Sequence, residues 1–267
     1  MALATLACAQ AQAEPADADT PDAGVQQIVI TQGRGQIRSV QGLTRREFDE
    51  APAGTSPLVT MARLPGVNFQ SADVLGNYEW STRVTVRGFS QNQMGFTLDD
   101  VPLGDMSYGN FNGLHISRAI ISENVARSYL AQGSGSLETA SSSNLGGTLQ
   151  FYSDDPRDTL GLEARQSFGS DSNLRTYVRL DSGQLGFGKL ALSAVNQDAD
   201  KWKGHGQQKQ QQVNLKYVGE FGDNRLSAFV NASHRREIDY QDMSLEMINR
   251  LGRNWDNYYP EIGRAHV

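Results

Sequence analysis

The chain has 267 residues, enough for one large domain or two ordinary ones, and a formal net charge of -6. Its lysines and arginines are dispersed rather than clustered, which argues against a nucleic acid as a partner. No stretch of roughly eighteen apolar residues occurs, so the sequence offers no transmembrane helix, whereas a barrel strand needs only about ten residues of alternating polarity. The 27 glycines and 8 prolines fit many short strands joined by tight turns.

Residues 1–13 predict the remnant of a signal peptide. They are small and apolar and end in Ala11-Gln12-Ala13, the small-x-small pattern of a secretory cleavage site, although the basic n-region is missing. The alternative is a disordered N-terminus. Cys8, the only cysteine, falls in this segment and fits a lipoprotein signal poorly. Its removal would leave no disulfide and no cysteine-based metal site.

Residues 14–35 predict a flexible segment, because Glu14 to Gly24 is rich in acid, alanine and proline and cannot bury a core. A short β-branched run, Ile28, Val29, Ile30 and Thr31, follows within polar surroundings. This run is either the first strand of the next domain or a docking strand that a partner adds to an exposed sheet edge.

Residues 36–156 predict a compact α+β domain. Ser56 caps a short helix that has Pro57 in its first turn and stops at Pro65-Gly66. Asp99 and Asp100 form a turn after a strand. The predicted strands are 82–86, 95–98 and 145–152, with a helix or strand over 116–125.

Residues 157–260 predict five strands of about ten residues, in each of which one face is apolar. Short turns at 182–186 and 222–224, with a longer polar loop at 199–209, fit an outer-membrane barrel. The alternative is a soluble β-sandwich. The two differ in whether one set of side chains meets lipid or a packed core: Val213, Leu215, Tyr217, Leu226, Ala228 and Val230.

Five segments occur in an order and at a spacing that resemble the plug domain of TonB-dependent receptors, over about residues 26 to 260. They are Leu64–Phe69, Val86–Phe89, Phe96–Pro102, Gly133–Ser136 and Asn144–Leu149. Three departures put a close subfamily placement in doubt, namely Asp100 in place of glycine, Gln132 in place of arginine, and Ser128-Tyr129 in place of a valine-acid pair.

The resemblance implies an α+β plug followed by the first strands of an antiparallel transmembrane β-barrel, which is incomplete here. It implies a receptor for active uptake of a scarce nutrient across the bacterial outer membrane, with a ferric siderophore as the default substrate. The other substrates are vitamin B12, a carbohydrate or a nickel chelate. The implied partners are outer-membrane lipids and the TonB-ExbB-ExbD complex, which would bind a TonB box at Ile28, Val29, Ile30 and Thr31. A soluble periplasmic or secreted binding module remains the alternative.

The resemblance also implies roles for particular residues. Aromatic and amide side chains of the plug apices and the first long loop would contact substrate or pack on the barrel wall: Tyr78, Trp80, Gln91, Asn92, Gln93, Tyr108, Phe111, Trp202 and His205. Trp202 could equally belong to an interfacial belt. Structural roles in the plug fall to Arg87, paired with a barrel carboxylate, and to Gly88, Asp99, Pro102, Gly146 and Gly147.

No enzyme, cofactor or metal site is expected. His115, His205 and His234 are scattered without metal-ligand spacing, and the Gly133–Ser136 stretch lacks the strand-to-helix context of a hydrolase. Residues 261–267 are predicted to be sequencing-adapter read-through, because Ile262 to Val267 is what a common adapter encodes. A plug-holding barrel has about 22 strands, so this chain is expected to be the front portion of a longer receptor.

Overall fold

The structure, a computed structural model, describes residues 4–10, 28–33, 36–104, 113–132, 139, 141 and 144–256. In the described ranges, no helix is long and apolar enough to cross a membrane. The chain begins with strand β1 (Ala4–Gln10) and then forms two parts. The first part, which we call the plug, ends at Ser153, and the second begins at Leu160.

The plug combines strands with short helices, as the sequence predicts. Its strands are β2 (Ile28–Gly33), β3 (Gln36–Leu43), β4 (Val67–Gln70), β5 (Arg83–Val86), β6 (Phe89–Ser90), β7 (Gly95–Leu98), β8 (Val101–Pro102), β9 (Val125–Gln132) and β10 (Gly147–Ser153). Its helices are α1 (Arg45–Asp49), α2 (Pro57–Met61) and α3 (Ile116–Ala119), with 3-10 turns at Glu79–Ser81, Gln91–Gln93 and Ser122–Asn124.

Local sequence explains where several of these elements begin. The Ser56 side chain accepts a hydrogen bond from the backbone N–H of Leu58, and Pro57 fills the first turn, so α2 begins where predicted. The helix ends at Met61 rather than at Leu64, which lies in the following turn. All four residues of β7 are buried because both of its faces are covered.

The plug has a six-stranded sheet in the order β2-β3-β9-β10-β7-β8 and a small three-stranded sheet, β4-β5-β6. Strand β10 runs parallel to β7 and antiparallel to β9. The predicted helix or strand at 116–125 is instead α3, a 3-10 turn and the first residue of β9. The hydrophobic core lies between the helices and this sheet and includes Leu58, Met61, Phe96, Ile116, Leu149 and Phe151.

The second part is an antiparallel sheet of long strands, which we call the wall. Its strands are β11 (Leu160–Phe168), β12 (Leu174–Leu185), β13 (Gly188–Asp200), β14 (Gln207–Phe221) and β15 (Asn224–Glu237). They pair in chain order, and β1 pairs with β15 at the edge. Helix α4 (Leu245–Leu251) follows the wall.

The predicted long loop at 199–209 is shorter than expected, because β13 and β14 pair as far as Asp200 with Gln207. The Gln and Lys residues that open β14 are polar on both faces, which hides the alternation in the sequence. Residues 186–187 and 222–223 connect strands at one end of the wall, here called the turn end. Residues 169–173, 201–206 and 238–256 lie at the other, the loop end.

The two faces of the wall differ in chemistry. Apolar side chains point away from the plug and are partly exposed, including Leu192 (46%), Val213 (43%) and Leu215 (37%). Their neighbours along the strands are polar and buried against the plug, including Ser193 and Asn214. This arrangement is that of a barrel wall, unclosed here, and the outward residues do not form the packed core that a β-sandwich requires.

Candidate functional site

A buried ion pair joins the plug to the wall. Glu123 lies in the 3-10 turn before β9, and Arg175 lies on the inward face of β12. Arg175 Nε and Nη2 donate to the two carboxylate oxygens of Glu123 at 2.8 and 2.6 Å. Burial opposes ionisation of Glu123, but the Arg175 guanidinium outweighs it and lowers the pKa of the carboxyl below its usual value. This pair is therefore charged and desolvated at the boundary.

Asn124, beside this ion pair, directs both amide donors and its carbonyl oxygen to side chains of the wall. Its Nδ2 donates to Ser193 Oγ at 2.6 Å and to Asn214 Oδ1 at 2.9 Å. Its Oδ1 accepts from the hydroxyl of Tyr177 at 2.8 Å. Because a side-chain amide has this donor and acceptor set, one plug residue reads three wall strands at once.

The segment that links plug to wall, Ser153 to Pro156, is held by three wall cations. Arg179 Nη1 contacts Asp154 Oδ2 at 2.6 Å, and Lys216 Nζ contacts Asp155 Oδ1 at 3.1 Å. Arg225 also pairs with Asp155. Burial opposes ionisation of Asp155, but Lys216 and Arg225 outweigh it and lower its pKa. Ion pairs at the turn end thus fix the position of the segment that links the plug to the wall.

The plug–wall contact is mostly polar, unlike the core of the plug. A small apolar cluster of Ile121, Tyr177 and Val195 crosses it, and Phe229 packs on the plug core. Hydrogen bonds of this kind contribute only about 0.5–1.5 kcal/mol each net, since water replaces the lost partner when the surfaces separate. The plug is therefore positioned on the wall by directional polar contacts and not by a shared hydrophobic core.

A second cluster lies at the loop end. The indole Nε1 of Trp202 donates to the carbonyl of Ala72 in the plug at 2.6 Å. Trp202 stacks on Tyr240 with ring centroids 6.4 Å apart, and Tyr240 meets the edge of Tyr78 at 5.8 Å. The turn at Gly204 (φ 66) packs so closely that an added Cβ would lie 2.4 Å from Asp256 Cβ. We call Tyr78, Trp202 and Tyr240 the aromatic cluster.

The predicted substrate residues divide by exposure. Tyr78 and Gln91 are buried (4% and 7%), and Gln91 Oε1 accepts from the backbone N–H of Val84, so both side chains are engaged inside the protein. The exposed members are Trp80, Asn92, Trp202 and His205, while Gln93 is half-buried and accepts from Ser90. Tyr108 and Phe111 lie outside the described residues.

The predicted structural residues of the plug occupy turns and close contacts. Asp99 has φ 48 and its carboxylate accepts from the backbone N–H of Ser153 at 2.8 Å. A Cβ added at Gly147 would lie 2.3 Å from the Ala131 carbonyl oxygen, and one at Gly146 would meet Phe89. Gly88 has φ 88 in the turn between β5 and β6, and Pro102 pairs with Thr97.

Arg87, which the resemblance pairs with a barrel carboxylate, has no carboxylate partner among the described residues. It is exposed at φ 49, and the ion pairs among the described residues do not include it. Ile28–Thr31 lies in β2, paired with β3. No group of three or more His, Cys, Asp or Glu side chains in the described ranges is arranged to hold a metal ion.

The sequence did not reveal Glu123, Asn124 and Arg175 of the plug–wall contact, nor Lys201 and Tyr240 at the loop end. One signal was present: the polar residues Arg175, Tyr177, Arg179 and Asp181 alternate with the apolar face of β12. A strand polar on one face and apolar on the other indicates that the polar face meets something other than lipid, here the plug.

Comparison with known proteins agrees with this geometry. Residues 33–148 match the family model described as TonB-dependent Receptor Plug Domain. No curated protein sequence matches the chain. The fold is similar to the pyoverdine outer membrane receptor FpvA from Pseudomonas aeruginosa PAO1, with 20% identity, a TM-score of 0.59, and coverage of 74% of this chain and 28% of that chain.

Two further solved structures share the fold. The ferric-catecholate import receptor Fiu from E. coli K12 has 16% identity and a TM-score of 0.60, covering 83% of this chain and 33% of that chain. The ferric yersiniabactin uptake receptor FyuA from Yersinia pestis has 17% identity and a TM-score of 0.55, covering 76% and 33%. The chain thus spans about a quarter to a third of these receptors. Residues 33–148 therefore match a plug domain of the TonB-dependent receptor type, and the chain shares its fold with these three outer-membrane receptors.

Proposed function

We propose that this chain is part of a receptor that actively takes up a scarce nutrient, with a ferric siderophore as the first candidate. The observation that carries the proposal is the plug seated by polar contacts on a wall whose apolar face turns outward. The relatives described above are receptors for pyoverdine, a ferric catecholate and ferric yersiniabactin. Such a wall would meet outer-membrane lipids on its apolar face. No catalytic step is proposed.

The energising partner would be the TonB-ExbB-ExbD complex, acting through Ile28–Thr31. Strand β2, which contains this run, is at the edge of the six-stranded plug sheet and pairs only with β3 among the described strands. An edge strand presents backbone N–H and C=O groups to which a partner strand can add. A pull on β2 would then act on the plug sheet through β3.

Substrate would bind at the loop end, which corresponds to the outer side because barrels of this class have short turns on the periplasmic side. Trp202 and Trp80 offer partly exposed rings (39% and 37%), and His205 is exposed in the same connection as Trp202. Asn92, Gln93, Tyr108 and Phe111 complete the proposed set. Tyr78 and Gln91 would support these residues from behind, since both are buried.

The experiment is transport of radioactive iron, bound to a panel of siderophores, by cells that display the complete receptor. Ile30→Pro removes a backbone N–H from the docking strand, so the variant should bind substrate at the surface but not internalise it. Val29→Ala keeps every backbone group and serves as the control, which should transport normally. Uptake by Ile30→Pro equal to that of the unchanged receptor would overturn the docking-strand proposal.

A further inference from the structure

Lys201, at the start of the connection between β13 and β14, carries a completely buried ammonium group. Its Nζ lies 2.7 Å from Asp256 Oδ2, and both side chains are 0% exposed. The same Nζ donates to the carbonyl of Asp239 at 2.5 Å and lies 4.8 Å from the centre of the Tyr240 ring. Three different points of residues 238–256, which we call the outer loop, therefore converge on one cation.

The outer loop makes hydrogen bonds at both ends of its described range, and the residues between them are exposed. Gln241 donates its N–H to Asp256 Oδ1 at 2.9 Å, and Gly204 donates to the carbonyl of Asn254 at 2.7 Å. In between, helix α4 contains no buried residue, and Leu245 is 80% exposed. Since the middle of the loop is exposed, its position depends on contacts near residues 238–241 and 254–256. Lys203 and Gln208 also donate to carbonyls there, but Lys201 supplies the buried charge that joins the two groups of contacts.

The position of the outer loop also fixes the aromatic cluster. Tyr240 leaves the wall next to Asp239 and lies between the plug residue Tyr78 and the wall residue Trp202. Trp202 in turn donates to the plug through Ala72. Lys201 thus stands at the point where the outer loop, the wall and the plug apex are held together.

We propose that Lys201 is a positioning residue for substrate recognition, because it holds the outer loop in place and the buried Tyr240 of that loop then supports the exposed ring of Trp202 from behind. The proposal rests on the proposed function in placing substrate at the loop end. Lys201 has no access to substrate, since it is wholly buried. A loop that is correctly closed only a tenth of the time raises the apparent Kd about tenfold, without changing the bound complex itself.

The test uses the complete receptor in the outer membrane of intact cells. Externally added trypsin reports the outer loop, because Arg250 and Arg253 are exposed in it. Lys201→Met and Asp256→Asn should each increase cleavage at these arginines about tenfold and raise the Kd for the bound ferric siderophore by a similar factor. Transport at saturating siderophore should stay unchanged. Lys201→Arg keeps the charge and should restore both readouts.

The matched control is Lys209→Met, which removes a lysine from the next strand whose ion pair with Asp198 is about half exposed (47% and 45%). It should change neither readout. Resistance of the unheated receptor to unfolding in SDS verifies that each variant has assembled. Unchanged cleavage in assembled Lys201→Met would show that Lys201 does not hold the outer loop in place. Faster cleavage with an unchanged Kd would show that the position of the outer loop does not affect substrate recognition. A receptor that binds no ferric siderophore at all contradicts the proposed substrate. The cleavage result still shows whether Lys201 holds the outer loop in place.

Discussion

Glu123 of the plug and Arg175 of the wall are joined by two short contacts of 2.8 and 2.6 Å, and their side chains are only 5% and 2% exposed. Breaking a buried pair by removing one partner typically costs about 3–5 kcal/mol, because the remaining charge stays desolvated. Arg175→Met should therefore lower the free energy of unfolding of the assembled receptor by about this amount, measured by denaturant titration in detergent.

The control for this prediction is an exposed pair. Arg46 Nε lies 3.2 Å from Glu50 Oε1, one turn along helix α1, and the two side chains are 67% and 49% exposed. Arg46→Met should cost less than about 1 kcal/mol. The double variant Glu123→Gln with Arg175→Met should cost less than the sum of the single variants. Strict additivity would show that the two charges do not stabilise each other.

His115 should make the plug sensitive to mild acid. Burial, reinforced by the guanidinium groups of Arg235 and Arg118, lowers the pKa of His115 to about 3 from a usual 6.5. The folded state keeps His115 neutral, while the unfolded chain binds a proton at this histidine below pH 6.5. The free energy of unfolding is therefore unaffected by His115 above that pH and decreases below it. The free energy of unfolding should decrease by about 1.4 kcal/mol for each pH unit below pH 6.5.

The measurement is the unfolding free energy between pH 8 and pH 4 for the unchanged receptor and for His115→Gln. The variant should lose the part of the acid sensitivity that begins near pH 6.5. The carboxyl groups of Glu123 and Asp155 have lowered pKa values, so their contribution is complete above about pH 4.5 and disappears only in stronger acid. Identical pH profiles for the two proteins would contradict the neutral, buried His115.

Gly147 should be the least replaceable of three glycines that differ in their surroundings. A methyl group at Gly147 would lie 2.3 Å from a backbone carbonyl at a φ of 119, so Gly147→Ala should destabilise the plug by more than about 2 kcal/mol. Gly88 has φ 88 but open space around it, and Gly88→Ala should cost only about 1 kcal/mol. Gly186→Ala meets no atom and should be nearly neutral. Any other order in thermal unfolding would contradict the packing at Gly147.

A charged substitution on the outward face of the wall should destabilise the receptor more the deeper it lies in the membrane. Val213, 43% exposed near the middle of β14, should destabilise the receptor by about 2–4 kcal/mol when replaced by arginine, because the charge would lie within lipid. Leu160→Arg, at the turn end, should cost about 0–1 kcal/mol. The yield of folded receptor in the outer membrane measures both. Equal yields would indicate that this face does not contact the membrane core.

Local signals predicted the parts of the fold that local physics determines. The Ser56-Pro57 helix start, the strand Gly95–Leu98 and the apolar face through Val213 and Leu215 were all evident because capping, burial and alternation act over a few residues. Strand β9 was missed because its burial pattern is irregular, with Arg127 exposed between the half-buried Ala126 and the buried Ser128.

The candidate site was less accessible from the sequence. Tyr78 and Gln91 appear as exposed apical residues in a linear pattern, yet tertiary packing buries both. Glu123 and Arg175 are 52 positions apart, and only the docking of plug on wall brings their charges together. Arg87 is exposed in a tight turn, and its pairing with a barrel carboxylate stays a prediction. Such pairings depend on the relative placement of two parts of the fold, which periodicity does not encode.

The most direct test of energised uptake measures surface binding and internal accumulation of a radioactive ferric siderophore in the same cells, with and without an intact TonB-ExbB-ExbD complex. We expect equal binding in both cases and accumulation only when the complex is present. Accumulation that is independent of the complex, or a failure to bind any member of a broad siderophore panel, would contradict this expectation.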